Sequence, residues 1–398
     1  MRRWMRRGGL ALVALLAAYA VVWLGAYALT DRSGWARAIA WMDSDVDDQH
    51  RFPARPVANA PPRFDFKLPG TVERERLAAV WRDIEVESGG QKQMRGFEDF
   101  MRDTDTLAFL VLRDDVLLYE GYFNGGSREV PVTSFSVAKS FVSALIGCAV
   151  ADGRIHSVED PVTRYLPELP ARDARYQHIT LRHLLSMSSG IRYVERGLPW
   201  SDDAITYYGP DLRAVAVSSA IEGPPGQVFH YNNFHPLLLG LVLERTTGVP
   251  VARYLEDRLW KRLGMEAPAS WSLDSERSGF EKMESGLNAR AIDFAKFARL
   301  YLNRGNWQGE QVVPAAWVQA STRRDTATDP AERYQYFWWV NTQVPGRHHF
   351  FAAGKHGQYL YVMPERNLVF VRFGRTDPHR RWPATFVRMA DRIDAIGR

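Results

Sequence analysis

The hydrophobic pattern of this chain changes character several times. From Gly8 to Leu29 the residues are apolar without a single charge. Residues 31–70 break that run with an acidic cluster (Asp43, Asp45, Asp47, Asp48) and five prolines, a composition that predicts extended chain packed on the body with little regular structure. Helical spacing follows over 71–103. Residues 106–123 then read as two strands around the turn Arg113-Asp114-Asp115. The stretch from Ser134 to Gly153 is one apolar helix. Residues 154–280 are mostly helix and loop, with helices near 179–187, 211–221, 234–247 and 250–263. Helical periodicity returns over Ala289–Asn303. Residues 334–342, 348–353, 358–363 and 367–373 then read as antiparallel strands, and a last helix lies near 382–396.

Strands come early and late, with helices between. This order predicts an α+β fold: an antiparallel sheet flanked by helices, with an inserted mostly helical domain over about 154–280. Residues 1–30 form a membrane anchor or signal segment, 31–70 a tether, and 71–398 the body.

Composition adds little except at the N-terminus. The 398 residues are 46% hydrophobic and 24% charged, ordinary for a globular chain. The net charge of +5 owes four of its positive charges to Arg2, Arg3, Arg6 and Arg7, which have no acid near them. The rest is almost balanced, so no nucleic-acid partner is expected. The apolar run after these arginines is long enough for a bilayer. The arginines would stay cytoplasmic, giving a bacterial-type inner-membrane protein with its body on the periplasmic side. A cleaved signal peptide ending near Ala26-Tyr27-Ala28 is the rival reading. The single cysteine, Cys148, lies in an apolar helix and reads as core packing.

The helix after Ser134 carries one oddity. Lys139 falls in its first turn, where the helix dipole disfavours a cation. The helix is apolar nearly all round, as buried helices are. Its polar residues Ser136, Lys139, Ser140 and Ser143 share one face. A serine hydroxyl is a weak nucleophile that needs a base. A lysine buried near a helix N-terminus is driven toward its neutral amine, and three residues on it lies over the hydroxyl. The helix N-terminus would also aim backbone N–H groups at an oxyanion.

Ser-x-x-Lys alone is weak, since about one match is expected by composition in a chain of this length. Two further elements complete it. Of three Tyr-x-Asn matches, Tyr231-Asn232-Asn233 follows a Gly/Pro-rich turn and lies between the other two elements in sequence, which marks Tyr231 and Asn233. Lys355-His356-Gly357 then precedes an alternating strand. Lys355 supplies charge for a substrate carboxylate, Gly357 lets substrate approach the strand edge, and the Gln358 N–H is the second oxyanion donor. No Gly-x-Ser-x-Gly elbow and no His-Glu-x-x-His occurs. His348-His349 reads as a strand-edge pair. No metal or other cofactor is expected.

These stretches resemble the serine β-lactamase and penicillin-recognising superfamily. The resemblance covers roughly residues 75–390. It rests on Ser134–Phe141, Leu181–Gly190, Phe229–Asn233, Gly286–Ala289 and His356–Val362. The middle element is similar to the class C-like branch, with the nearest likeness to 6-aminohexanoate-oligomer hydrolases and family VIII esterases. The resemblance implies that Ser136 is acylated, Lys139 is the base, Tyr231 relays a proton to the leaving amine, and Asn288 sits near the substrate. The implied substrate is a small amide or ester. Esterase, β-lactamase or DD-peptidase activity on the same site, and non-catalytic binding of a cell-wall peptide, are the alternatives. Lys355-His356-Gly357 departs from Lys-Thr-Gly, which weighs against β-lactam carboxylate recognition. Tyr193, Tyr207 and Tyr208 are candidates for the loop tyrosine of the oligomer hydrolases.

Overall fold

The computed structural model describes residues 2–88, 91–324, 331–341 and 348–396. Thr342, the end of one expected strand, lies outside them. The elements that position the site are the strands β1 (Ala54–Val57), β2 (Thr106–Arg113), β3 (Val116–Tyr122), β4 (Val132–Thr133), β5 (Ala269–Ser272), β6 (Leu287–Ala289), β7 (Tyr334–Gln335), β8 (Trp338–Asn341), β9 (His349–Gly354), β10 (Gln358–Met363) and β11 (Leu368–Gly374). The helices used below are α1 (Arg2–Ala28), α2 (Gly34–Trp41), α3 (Ala138–Ala151), α4 (Phe234–Thr247), α5 (Ala291–Leu302) and α6 (Trp382–Ile396).

Among the described residues the main sheet has seven antiparallel strands in the order β7-β8-β9-β10-β11-β2-β3. Early and late strands therefore share one sheet, joined where β11 pairs with β2. Both faces are covered, and the period-2 alternation decides which side chain goes where. On β2, Leu110 and Leu112 face one core while Phe109 and Val111 face the other. The same split runs through β10 and β11, where Leu360, Val362, Val369 and Val371 oppose Tyr361, Met363, Leu368 and Phe370.

The larger core holds α3, α4 and α5. Phe141 of α3 stacks on Phe297 of α5 with ring centroids 3.6 Å apart. Gly147 gives the Trp317 indole room to lie against the helix backbone. This explains why α3 is apolar on every side: it is buried from Ala138 to Ala149. Cys148 lies in this core, where burial raises its thiol to about 11. The smaller core holds α6, whose Trp382 and Phe386 pack on Phe109. A second sheet, β1-β5-β6-β4, carries the short strands beside the serine turn.

The N-terminus corrects the sequence reading. Among the described residues no helix is long and apolar enough to cross a membrane. The expected N-terminal span, and the inner-membrane placement and periplasmic body that rested on it, do not stand. Near the far end of the apolar run Ala26 is buried and Trp23 Nε1 donates to Ala40 O at 3.3 Å, while Val21, Val22, Leu24 and Tyr27 stay exposed.

Residues 31–70 carry more structure than their prolines suggest. Ser33 caps α2, accepting from Ala36 N. Arg37 is buried and donates to Thr30 O (2.6 Å), Asp274 O (2.5 Å) and Tyr208 O (3.3 Å). Asp48 is buried as well, accepting from Arg51 at 2.7 Å and from Tyr207 OH at 2.9 Å.

Candidate active site

Ser136 lies in a 3-10 turn, Phe135–Val137, just ahead of α3 rather than inside it. The turn is strained, because Phe135 adopts φ 43, a left-handed conformation that a side chain disfavours. Neighbours hold it. Ser134 N donates to Leu287 O at 2.9 Å, and Ser134 Oγ accepts from Leu287 N at 3.1 Å. Gly354 packs so close that a Cβ there would lie 2.5 Å from Ser134 O.

Lys139 is 1% exposed. Its Nζ donates to Ser136 Oγ at 2.8 Å and to Glu284 O at 2.9 Å, and it stands 5.0 Å from the Tyr231 ring centroid. Two anchors therefore fix the amine over the hydroxyl. The Tyr231 ring in turn stacks on Trp339 at 6.0 Å and meets Tyr334 edge-on at 5.8 Å.

The loop carrying Tyr231 is set by the residue between the two motif positions. Asn232 is buried, donating from Nδ2 to Ile191 O (2.9 Å) and accepting from Phe234 N (2.8 Å). His230 N donates to Met187 O, and His235 bonds Ser189 Oγ at 2.6 Å and contacts Met187 Sδ at 3.0 Å. The Leu181–Gly190 stretch is thus the seat on which this loop rests. Asn233 Nδ2 donates to Tyr193 OH at 2.8 Å, while its buried Oδ1 has no protein partner among the described residues.

A cleft of about 900 Å³ opens over Ser136, with Tyr231, Asn233, Tyr193, Glu284 and Lys355 among its lining side chains. Tyr207 and Tyr208 line it too. Their hydroxyls, however, donate to Asp48 and to Met42 O. Of the three candidate loop tyrosines, Tyr193 is the one joined to Asn233. Burial holds the Tyr193 phenol well above its ordinary pKa, so it stays neutral.

The third element divides. Lys355 borders the cleft, but its Nζ pairs with Asp43 and donates to Ser44 Oγ at 2.8 Å. His356 adopts φ 63, lies edge-on to Phe135 at 5.2 Å, and places Nε2 2.9 Å from Ser44 O. Gly357 serves packing: at φ 75, a Cβ would lie 2.2 Å from Arg372 Nη1. The Gln358 side chain clamps β10 to β11 through both Gly374 N (2.9 Å) and Gly374 O (2.8 Å), while its backbone stands opposite Gly354. Asn288 is not brought to the cleft. It is buried in the second sheet, opposite Thr133 and Ser270, and donates to Ser272 Oγ at 3.0 Å.

Two contributors escaped the motif reading. Glu284 acts through its main-chain oxygen, which leaves no trace in side-chain patterns. Arg372 is fully buried and donates to Gly357 O and Thr104 O, both at 2.6 Å, holding the Lys355–Gly357 turn from behind. An arginine inside the apolar strand Leu368–Gly374 was the available signal.

Comparison with known proteins agrees with this architecture. The β-lactamase family model matches residues 94–391. The 6-aminohexanoate-dimer hydrolase of Paenarthrobacter ureafaciens is 29% identical over 314 residues, 71% of this chain and 76% of that protein. Esterase EstB of Burkholderia gladioli is 30% identical over 158 residues, 36% of this chain and 39% of that one. A solved structure described as a candidate 6-aminohexanoate-dimer hydrolase from Bacillus anthracis superposes with TM-score 0.76 at 24% identity, covering 88% of this chain and 94% of that one.

Proposed function

This chain belongs to the β-lactamase family and is a serine hydrolase, and on that premise we propose that it cleaves a small amide or ester through an acyl-enzyme on Ser136. The observation that carries the reading is the 2.8 Å contact between Lys139 Nζ and Ser136 Oγ, with a second Lys139 N–H held by Glu284 O. In the first step the Lys139 amine takes the Ser136 proton as Oγ attacks the substrate carbonyl. The oxyanion forms against the backbone N–H groups of Ser136 and Gln358. Tyr231, beside Lys139, gives its phenolic proton to the leaving nitrogen or oxygen and takes up the proton that Lys139 holds, which restores the base as the acyl bond to Ser136 is completed. Water then attacks the ester under the same base, and Ser136 recovers its proton.

The substrate class we propose is a linear aliphatic amide of the 6-aminohexanoate-oligomer type. The likeness to the dimer hydrolase over 76% of its length supports this, as does an open cleft lined by tyrosines rather than a tight pocket. Asn233, with Nδ2 taken by Tyr193 and Oδ1 unclaimed, would accept from the substrate amide N–H.

The decisive experiment is covalent trapping. A fluorophosphonate probe should add one mass increment to the protein and map to Ser136, and the purified chain should turn over p-nitrophenyl esters or a linear aminohexanoate dimer. Labelling that survives Ser136→Ala would sink the proposal.

A further inference from the structure

The cleft is not bounded by the β-lactamase-like body alone. Ala38, Ile39, Met42, Asp43 and Ser44 form one wall of it. This wall is built rather than draped. Arg37 is buried against two distant carbonyls, Gly34 abuts the Gly209 backbone, and Tyr208 OH donates to Met42 O at 2.9 Å. Met42 itself adopts φ 61, a conformation that a side chain disfavours and that these anchors hold in place. The result is that Asp43 lands on Lys355. Asp43 Oδ1 also accepts from Ser44 N at 2.9 Å, while Ser44 supplies its hydroxyl to Lys355 and its carbonyl to His356.

We propose that Asp43 is a specificity-determining residue that occupies Lys355 and thereby disfavours substrates presenting a carboxylate to that end of the cleft. The inference rests on Ser136 being the nucleophile of this cleft. Among the described lining residues Lys355 is the only cation, set against the carboxylates Asp43, Glu195 and Asp203, while Glu284 is buried and paired with Lys282 at 3.1 Å. With Lys355 already neutralised, an incoming carboxylate meets a negative wall and must displace Asp43. A substrate that is uncharged at this end meets no such cost. The chain's own acid stands where the motif alone would seat a substrate acid.

The test uses the full chain and matched substrates on both sides of the scissile bond. One pair is mono-p-nitrophenyl adipate against p-nitrophenyl hexanoate, and the other is 4-acetoxybenzoate against 4-methylphenyl acetate. The readout is the ratio of kcat/KM for the charged member to that for the neutral one. Asp43→Asn should raise this ratio by about 1.4-fold to fivefold in at least one pair, the range expected for a largely exposed ion pair. Adding Lys355→Gln to Asp43→Asn should return the ratio to the wild-type value. A ratio that is unchanged or lower in both pairs overturns the proposal. So does a rise that persists in the double variant, because the effect is then the general field of the cleft. The Asp43 side chain is 86% exposed, so the fold should tolerate the change. Ser44→Ala, which removes the second partner of Lys355, should shift the ratio the same way. Ser136→Ala tests the underlying reading separately: turnover that survives it condemns the nucleophile whatever the ratios show.

Discussion

Lys139→Met separates the chemistry of this site from its packing. Met keeps the length and flexibility of the lysine stem and removes only the amine. Two hydrogen bonds disappear, to Ser136 Oγ at 2.8 Å and to Glu284 O at 2.9 Å. Ser136 Oγ faces the cleft and is rescued by water. Glu284 is 2% exposed, and an abandoned buried acceptor costs about 1–3 kcal/mol. Against this, a 1% exposed amine no longer has to be desolvated, and replacing a buried polar group by an apolar one of similar shape is often nearly neutral. The net change in stability should be about 2 kcal/mol or less, a melting shift of a few degrees. The catalytic loss is larger. A positioned base contributes about 10²–10⁴ in rate, which is about 2.7–5.5 kcal/mol of barrier. Initial rates with a p-nitrophenyl ester, acylation followed by intact mass, and a melting curve give the three readouts. Activity within about tenfold of wild type in a variant that melts normally would refute the base role. A rate that falls only in step with the melting temperature would show Lys139 to be structural.

Three further outcomes follow from other contacts. Tyr231→Phe should impair amide cleavage more than ester cleavage, because an amine leaves only once protonated; equal losses of kcat on paired amide and ester substrates would contradict the relay. Gly147→Ala should destabilise by about 1–3 kcal/mol in a urea titration, since the new Cβ would lie 2.4 Å from the Trp317 ring; a gain, as Gly→Ala gives in an open helix, would show that Trp317 can move aside. Burial holds His235 at about 3, below its ordinary value near 6.5. The unfolded chain therefore binds more protons between those values, so this residue's contribution is complete above about pH 6.5 and declines as pH falls toward 3. Between pH 7 and pH 4 the decline is on the order of 3 kcal/mol. His235→Gln should shrink the acid-induced loss of stability, and an unchanged pH dependence would refute the assignment.

The sheet was legible because its strands obey one rule. The apolar stretches over 106–113, 358–363 and 367–373 reappear as strands whose side chains divide between two cores, and no long-range knowledge was needed to see them. The serine turn was legible in part. Spacing placed Lys139 over Ser136, but the 3-10 geometry and the positive φ of Phe135 depend on Leu287 and Gly354, which are remote in sequence. The motif positions fared unequally for the same reason. Asn288 matched a family stretch, yet Thr133 and Ser270 on neighbouring strands enclose it. Residues 1–70 were read incompletely because hydropathy and proline content describe a segment in isolation. Hydropathy says nothing of a neighbour such as Ala40, whose carbonyl accepts from Trp23.

One of the buried residues in 31–70 matters for function. Extended chain rich in proline is cheap to leave in solvent, so nothing local ties residues 31–70 to the body. Arg37 supplies the tie. A buried guanidinium must find acceptors, and its acceptors are the carbonyls of Thr30, Tyr208 and Asp274. Satisfying them fixes α2 against the helix that bears Tyr207 and Tyr208, and the residues after α2 then have few places to go. Asp43 reaches Lys355 as a consequence. The polarity of the cleft is therefore set partly by a salt-insensitive buried anchor some distance from Ser136. Removing that anchor by Arg37→Met should leave Ser136 and Lys139 in place, because their contacts run to β6 and Glu284. The same change should free the wall and move the carboxylate ratio in the direction that Asp43→Asn does. A variant that keeps esterase activity with an unchanged ratio would show that the wall holds Asp43 without Arg37.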